Sequence, residues 1–116
     1  MRCSNPRLQG FNSVRKHMKV DTRRWYHHAD VLGLLVWQDI PAWSGNAGDF
    51  AAILAPEIAD IYRGIRAAPS LMMVDAFNEG WGEGTPAMVN LTMELLRKAS
   101  RGSHIMNDAS GGRGLG

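Results

Sequence analysis

Two periods of apolar residues alternate along the chain. Residues 11–20 alternate every second position and predict a strand, with Phe11, Ser13, Arg15, His17 and Lys19 on one face. Asp21 then offers an N-cap, and Trp25, His28, Ala29 and Leu32 recur at helical spacing. Gly33 stands where a glycine closing that helix belongs. Leu34 to Ile40 reads as a second strand, ended by Pro41. Residues 42–49 carry turn chemistry, with Trp43, Ser44, Gly45, Asn46 and Gly48. Asp49 is placed to cap a helix whose apolar stripe is Phe50, Ile53, Leu54, Ile58, Ile61, Tyr62 and Ile65. Pro56 inside that stripe predicts either a kink or a fresh helix start.

Leu71 to Phe77 is a third strand, apolar apart from Asp75, as suits a strand covered on both faces. Thr85 and Pro86 open a helix that runs to about Ala99. Residues 103–108 read as a fourth strand, and the glycine-rich tail from Ser110 to Gly116 is not expected to pack. The order β-α-β-α-β-α-β predicts an α/β fold with right-handed crossovers and a parallel sheet. Periodicity alone leaves open whether that sheet is an open α/β sheet or a slice of a barrel.

Composition narrows the function classes. The 116 residues are 45% hydrophobic and 21% charged, the profile of an ordinary globular domain. No apolar run approaches the roughly 18 residues that a membrane span needs, so no membrane partner is expected. The net charge of +2 is scattered, which argues against a nucleic-acid partner, and the Arg23–Arg24 pair reads as a solvated helix face. Cys3 is the single cysteine, so no internal disulfide forms. The four histidines, His17, His27, His28 and His104, lack zinc-site spacing, and neither a metal nor a cofactor is expected. The N-terminus shows no apolar signal region, and compartment is left undetermined.

The segment Phe77-Asn78-Glu79-Gly80-Trp81-Gly82 carries the most chemistry. It puts a carboxylate directly after an asparagine at the tip of an apolar strand, where parallel α/β proteins place their active groups. Glycosidic cleavage requires a carboxylic acid that protonates the departing oxygen. An adjacent asparagine can hold a sugar hydroxyl, and a tryptophan can stack on a sugar ring. On residue types alone, a strand-end glutamate before a tight Gly-Trp-Gly turn explains the segment equally well.

Three segments resemble family 2 glycoside hydrolases, the β-galactosidase/β-glucuronidase-like group. The first is Gly10-Phe11-Asn12-Ser13-Val14-Arg15-Lys16-His17-Met18-Lys19. The second is Trp25-Tyr26 through Ala29-Asp30-Val31-Leu32-Gly33-Leu34-Leu35-Val36-Trp37-Gln38-Asp39-Ile40-Pro41. The third is Ala68-Pro69-Ser70 through Phe77-Asn78-Glu79-Gly80-Trp81-Gly82-Glu83. They occur in the family's order, and Asn107-Asp108-Ala109-Ser110-Gly111 resembles the next strand end. The resemblance covers residues 10–111; residues 1–9 match poorly, and residues 112–116 are expected to form a flexible tail.

The resemblance implies a partial (β/α)8 TIM barrel, about strands two to five with their helices, from a retaining β-glycosidase acting on a carbohydrate substrate. It implies Glu79 as general acid/base and Asn78 at the sugar 2-hydroxyl. Arg15 and His17 would lie at the end of strand two, near substrate or supporting the carboxylates. Asp39 would fall at an acidic substrate-site position ending strand three. Some relatives bind a metal there, and none is inferred from Asp39 alone. Trp81 would lie at the rim, Trp37 in core packing, and His27 and His28 on a helix as structural or exposed residues.

The departures from the family shape further expectations. The family's second glutamate, the nucleophile, ends strand seven. No residue here fills that role, so the chain is expected to be inactive by itself. Ala67-Ala68 stands where the family usually has Asn-His, and Asp75 where it has an apolar residue. A buried carboxylate is costly unless paired, and Arg15 is the expected partner of Asp75. Arg15 and His17 also lie closer together than their counterparts in the best-known β-galactosidases. The alternative function is a non-catalytic carbohydrate-binding or assembly module derived from a half-barrel. Open barrel edges would provide a surface for self-association.

Overall fold

A computed structural model of the chain describes residues 6–41, 49, 53–79 and 85–111. A short 3-10 turn, Pro6–Gln9, leads into β1, Ser13–Lys16. Then come α1, Arg23–Leu32; β2, Leu35–Asp39; and α2, Ala55–Ile65. The chain continues through β3, Leu71–Asn78; α3, Pro86–Ser100; and β4, Ile105–Ser110. The four strands form one parallel sheet in the order β1-β2-β3-β4. The order is sequential, with no reversal of the kind that creates the crevice of a doubly wound sheet.

The helix ends follow local chemistry, with one correction. Gly33 closes α1 in the left-handed conformation, at φ 63°, and its N–H reaches the Ala29 and Asp30 carbonyls. Thr85 caps α3, its hydroxyl accepting from Met88 N, with Pro86 in the first turn. Asp21 was expected to cap α1, but Thr22 occupies that position without a side-chain cap bond. The Asp21 carboxylate pairs instead with Lys16 and Lys19, which pulls it below the usual carboxylate range. Pro56 stands in the first turn of α2, whose N-cap is Leu54, and Ile53 and Leu54 before it are already helically wound in a π-turn. Phe50 and the turn residues 42–48 lie outside the described residues.

Two strands differ from expectation. β1 has four residues rather than the ten of the alternating stretch. Met18 turns the chain through a positive φ of 53°, and the remainder becomes the connection to α1. β4 begins two residues later than expected, because Arg101 and Gly102 both take positive φ and carry the chain out of α3 before pairing starts.

The core lies between one face of the sheet and the helices. Val36 and Val74 are fully buried there against Ile58 and Tyr62 of α2 and Leu96 of α3. Tyr26 and Ala29 of α1 close the same cluster. Burying a side chain of this size contributes about 1.5–3 kcal/mol. Val36 and Gln38 point into that layer, whereas Leu35 is 44% exposed on the opposite face. Near the end of β3, Ala76 and Phe77 are both buried and belong to the apolar cluster. Asn78, the last residue of the strand, is buried too and meets Arg15, and this places the site.

Leu96 is fully enclosed, so Leu96→Ala is expected to lower unfolding free energy by about 2–5 kcal/mol in urea denaturation. Val31, on the same layer but 71% exposed, sets the contrast: Val31→Ala should stay within about 0.5 kcal/mol. Similar losses at the two positions would contradict the assigned core.

Candidate functional site

The carboxyl ends of all four strands meet in one polar cluster. Arg15, near the end of β1, reaches across the sheet. Its Nε donates to Asp39 Oδ1 at 3.0 Å and its Nη2 to Asp39 Oδ2 at 2.8 Å, a bidentate pair. The same Nη2 donates to Asn78 Oδ1 at 2.8 Å and also meets the Ser110 hydroxyl. Asp39, Asn78 and Ser110 are the last residues of β2, β3 and β4. One guanidinium therefore ties the tips of four strands.

Asp39 is fully buried, and its second neighbour is His17, whose Nδ1 lies 2.8 Å from Oδ2. The hydrogen bond that Arg15 donates to Asp39 raises the guanidinium pKa above its ordinary value; burial opposes it, and the Asp39 charge adds to the rise. His17 itself is 58% exposed, so it presents a ring edge at the rim of the cluster.

Glu79 follows β3 directly and is exposed. It has a positive φ of 50°, a conformation that costs a non-glycine residue free energy and concentrates at functional sites. Its N–H donates to the Ser110 carbonyl at 3.1 Å, which fixes this bend against β4. Its carboxylate is near enough to Arg15 to help raise the pKa of that guanidinium.

Asp75 lies deeper on the same face and is fully buried. Arg15 was expected to be its partner, and the structure gives a different pairing. Asp75 Oδ2 accepts from Trp37 Nε1 at 2.6 Å, and Oδ1 accepts from Asn107 Nδ2 at 2.8 Å. The guanidinium is committed to Asp39, one strand nearer. Burial raises the Asp75 pKa, the two donated hydrogen bonds oppose that, and Asp39 adds to it. Trp37, expected in the core, is half-buried and polar at one end. Its ring also lies under the Arg15 guanidinium, 5.0 Å from centroid to carbon.

Behind the cluster, Gln38 holds the loop after β1. Its Nε2 donates to the Lys19 carbonyl at 3.1 Å, and its Oε1 accepts from Tyr26 at 2.5 Å. Burial pushes the Tyr26 hydroxyl up to about 12, so it stays a donor.

Of the residues the sequence singled out, Arg15, His17, Asp39 and Asn78 are brought into contact, and Glu79 is fixed at their edge. Trp81 lies outside the described residues. His27 and His28 are exposed on α1, away from the cluster. Sequence reasoning did not assign roles to Ser110, Asn107 or Gln38. The signal for Ser110 was its place at a strand end; Asn107 and Gln38 are ordinary polar residues until the sheet register is known. Among the described residues no group of three His, Cys, Asp or Glu side chains is arranged to hold a metal ion. No described helix is long and apolar enough to cross a membrane.

The fold is similar to that of solved bacterial β-glucuronidases. The apo structure of Bacteroides uniformis β-glucuronidase 3 matches with a TM-score of 0.68 at 18% identity, over 83% of this chain and 14% of that one. Ruminococcus gnavus β-glucuronidase in complex with D-glucaro-d-lactam matches with a TM-score of 0.66 at 19% identity, over 84% of this chain and 18% of that one. Bacteroides uniformis β-glucuronidase 2, covalently bound to cyclophellitol-6-carboxylate aziridine, gives 0.67 at 18% identity, over 82% and 13%. This chain therefore spans less than a fifth of the length of these neighbours. At such identities the likeness is one of fold. No family model matches the sequence, and no curated protein matches it at a significant level.

Asp75 gives the site a pH signature. Its folded pKa is raised above the ordinary 3.8, so the folded state holds the proton longer than the unfolded state does. Stability should fall as pH rises from the ordinary aspartate range through the raised value. Asp75→Asn should flatten that slope in urea titrations run across the acid range. An unchanged slope would mean that another group carries it. Separately, Arg15→Ala leaves the buried Asp39 carboxylate with only His17 beside it. A loss of about 3–5 kcal/mol is expected at neutral pH in the same assay.

Proposed function

We propose that these residues form part of the catalytic barrel of a retaining β-glycosidase of the family 2 type, with Glu79 as the general acid/base. The observation that carries this reading is the meeting of Arg15, Asp39, Asn78 and Ser110 at the carboxyl ends of consecutive parallel strands, with Glu79 bent into the solvent-facing mouth. That is where barrel enzymes assemble their active groups. The similarity of fold to β-glucuronidases supports it, as do the sequential strand order and the helices on one face.

In this reading Glu79 protonates the departing glycosidic oxygen and later takes a proton from water. Asn78 holds a hydroxyl of the sugar at the cleavage point. Asp39 and His17 contact substrate at the rim or hold Arg15 in place, and Trp81 offers a face to a sugar ring. The second carboxylate of a retaining pair would stand about 5–5.5 Å away. Asp39 and Asp75 do not serve, since both are fully buried and already engaged. The nucleophile would therefore come from outside the described residues. Galactoside, glucuronide, mannoside and glucoside substrates all fit this chemistry equally.

The test is hydrolysis of aryl β-glycosides that differ in leaving group. The 116-residue chain is expected to give no turnover. Placed within a complete barrel, the same residues should support turnover, and Glu79→Gln should lower it by about 10²–10⁴-fold for poor leaving groups. Activated leaving groups need little protonation and should lose much less. Equal loss for both kinds of substrate, or none, would remove Glu79 from the acid/base role.

A further inference from the structure

We propose that Ser110 is a positioning residue that sets which way the Asn78 carboxamide points, so that Asn78 offers hydrogen-bond donors to the ligand. Asn78 Oδ1 accepts from Arg15 Nη2 at 2.8 Å and from the Ser110 hydroxyl at 3.2 Å. The Ser110 Oγ itself accepts from Arg15 Nη2. A serine hydroxyl has one hydrogen to donate, and here it is spent on Asn78. One Nη2 hydrogen goes to Asp39 Oδ2, the other is shared between Asn78 Oδ1 and Ser110 Oγ, and the Ser110 hydrogen closes the ring on Asn78 Oδ1.

Reversing the carboxamide breaks this ring twice. It would bring Nδ2 against the guanidinium, donor against donor beside a positive charge. It would also leave the Ser110 hydrogen without its acceptor. In a buried site an unmade polar contact of this kind costs about 1–3 kcal/mol. The orientation with Oδ1 inward is therefore imposed by chemistry.

Nδ2 is then the end that faces outward. Among the described residues nothing accepts from it, and Ser70 Oγ is the one buried side-chain polar atom enclosed without a partner. Nδ2 is thus accessible at the mouth beside Glu79. It would meet an acceptor oxygen, such as a sugar hydroxyl oxygen, and would not complement a ligand offering only donors at that point. The saccharide identity of the ligand rests on the glycosidase reading above; the orientation of Asn78 does not.

Ser110 has a second attachment that makes the test clean. Its backbone carbonyl accepts the Glu79 N–H, and a side-chain substitution leaves that carbonyl in place. The experiment is nuclear magnetic resonance of the ¹⁵N-labelled 116-residue chain, with Ser110→Ala and Ser110→Thr alongside. Asn78→Asp identifies the Asn78 side-chain signals by their loss. In Ser110→Ala both Asn78 Nδ2 proton resonances should move toward those of a free asparagine. In Ser110→Thr, which keeps a hydroxyl, they should return. Slow exchange of the Glu79 amide should persist in all three.

Unmoved Asn78 signals in Ser110→Ala would overturn the proposal. So would loss of the Glu79 amide protection in that variant, which would make Ser110 a strand-pairing residue only. Failure of the threonine to restore the signals, with the Glu79 amide still protected, would also count against it. Adding a saccharide to the wild-type sample probes the other reading separately: a spectrum that ignores the sugar sinks the ligand identity and leaves the Ser110 result standing.

Discussion

The site depends on one cation placed among buried oxygens. Arg15 is the only guanidinium that reaches the carboxyl ends of the described strands, and Asp39, Asn78 and Ser110 all converge on its Nη2. Asp39 is a fully buried carboxylate, which water cannot stabilise. Its charge is tolerable because the planar fork meets both oxygens at once. A lysine offers no such fork, and a neutral residue would leave the carboxylate with His17 alone. The strand tips are therefore held together by electrostatics rather than by packing. The packing lies on the opposite face, where Val36, Val74 and Leu96 are enclosed.

The polar end of β3 leads directly to Glu79. Asn78, the last residue of the strand, reaches Arg15 in the polar cluster. Glu79, next in the chain, bends at a positive φ and is held by the Ser110 carbonyl. Its backbone is fixed at the strand end, while the side chains of Arg15, Asn78 and Ser110 hold one another. Below them Asp75 is satisfied by Trp37 and Asn107, and Trp37 in turn lies under Arg15. Two buried carboxylates on neighbouring strands are thus divided between different donors, which keeps them from competing for one guanidinium.

Much of the architecture was legible in the chain. The alternation of strand and helix periods gave a parallel α/β sheet, and Gly33 and Thr85 marked helix ends where the structure has them. Contact partners across strands were less legible. Asp75 was expected to meet Arg15 because a buried carboxylate is costly unless paired; register instead opposes Asp75 to Asp39 and Asn107. Pairing register depends on the twist of the sheet and on the shift between Val36 and Trp37, neither of which local sequence specifies. Trp37 was expected in core packing, while its indole N–H finds a carboxylate on the next strand. Ser110 is small and common, and its importance appears only once Arg15 and Asn78 are seen to meet it.

The most direct measurement is a resonance titration of the 116-residue chain with an iminosugar, a cationic mimic of the charge that develops in glycoside cleavage. The account predicts that the signals of His17, Asn78, Glu79 and Ser110 shift together along one binding curve, while those of Ile58 and Leu96 in the core stay fixed. Shifts confined to other surfaces, or no shift at the strand ends at saturating iminosugar, would contradict the proposal that the cluster Arg15 ties together is part of a saccharide site.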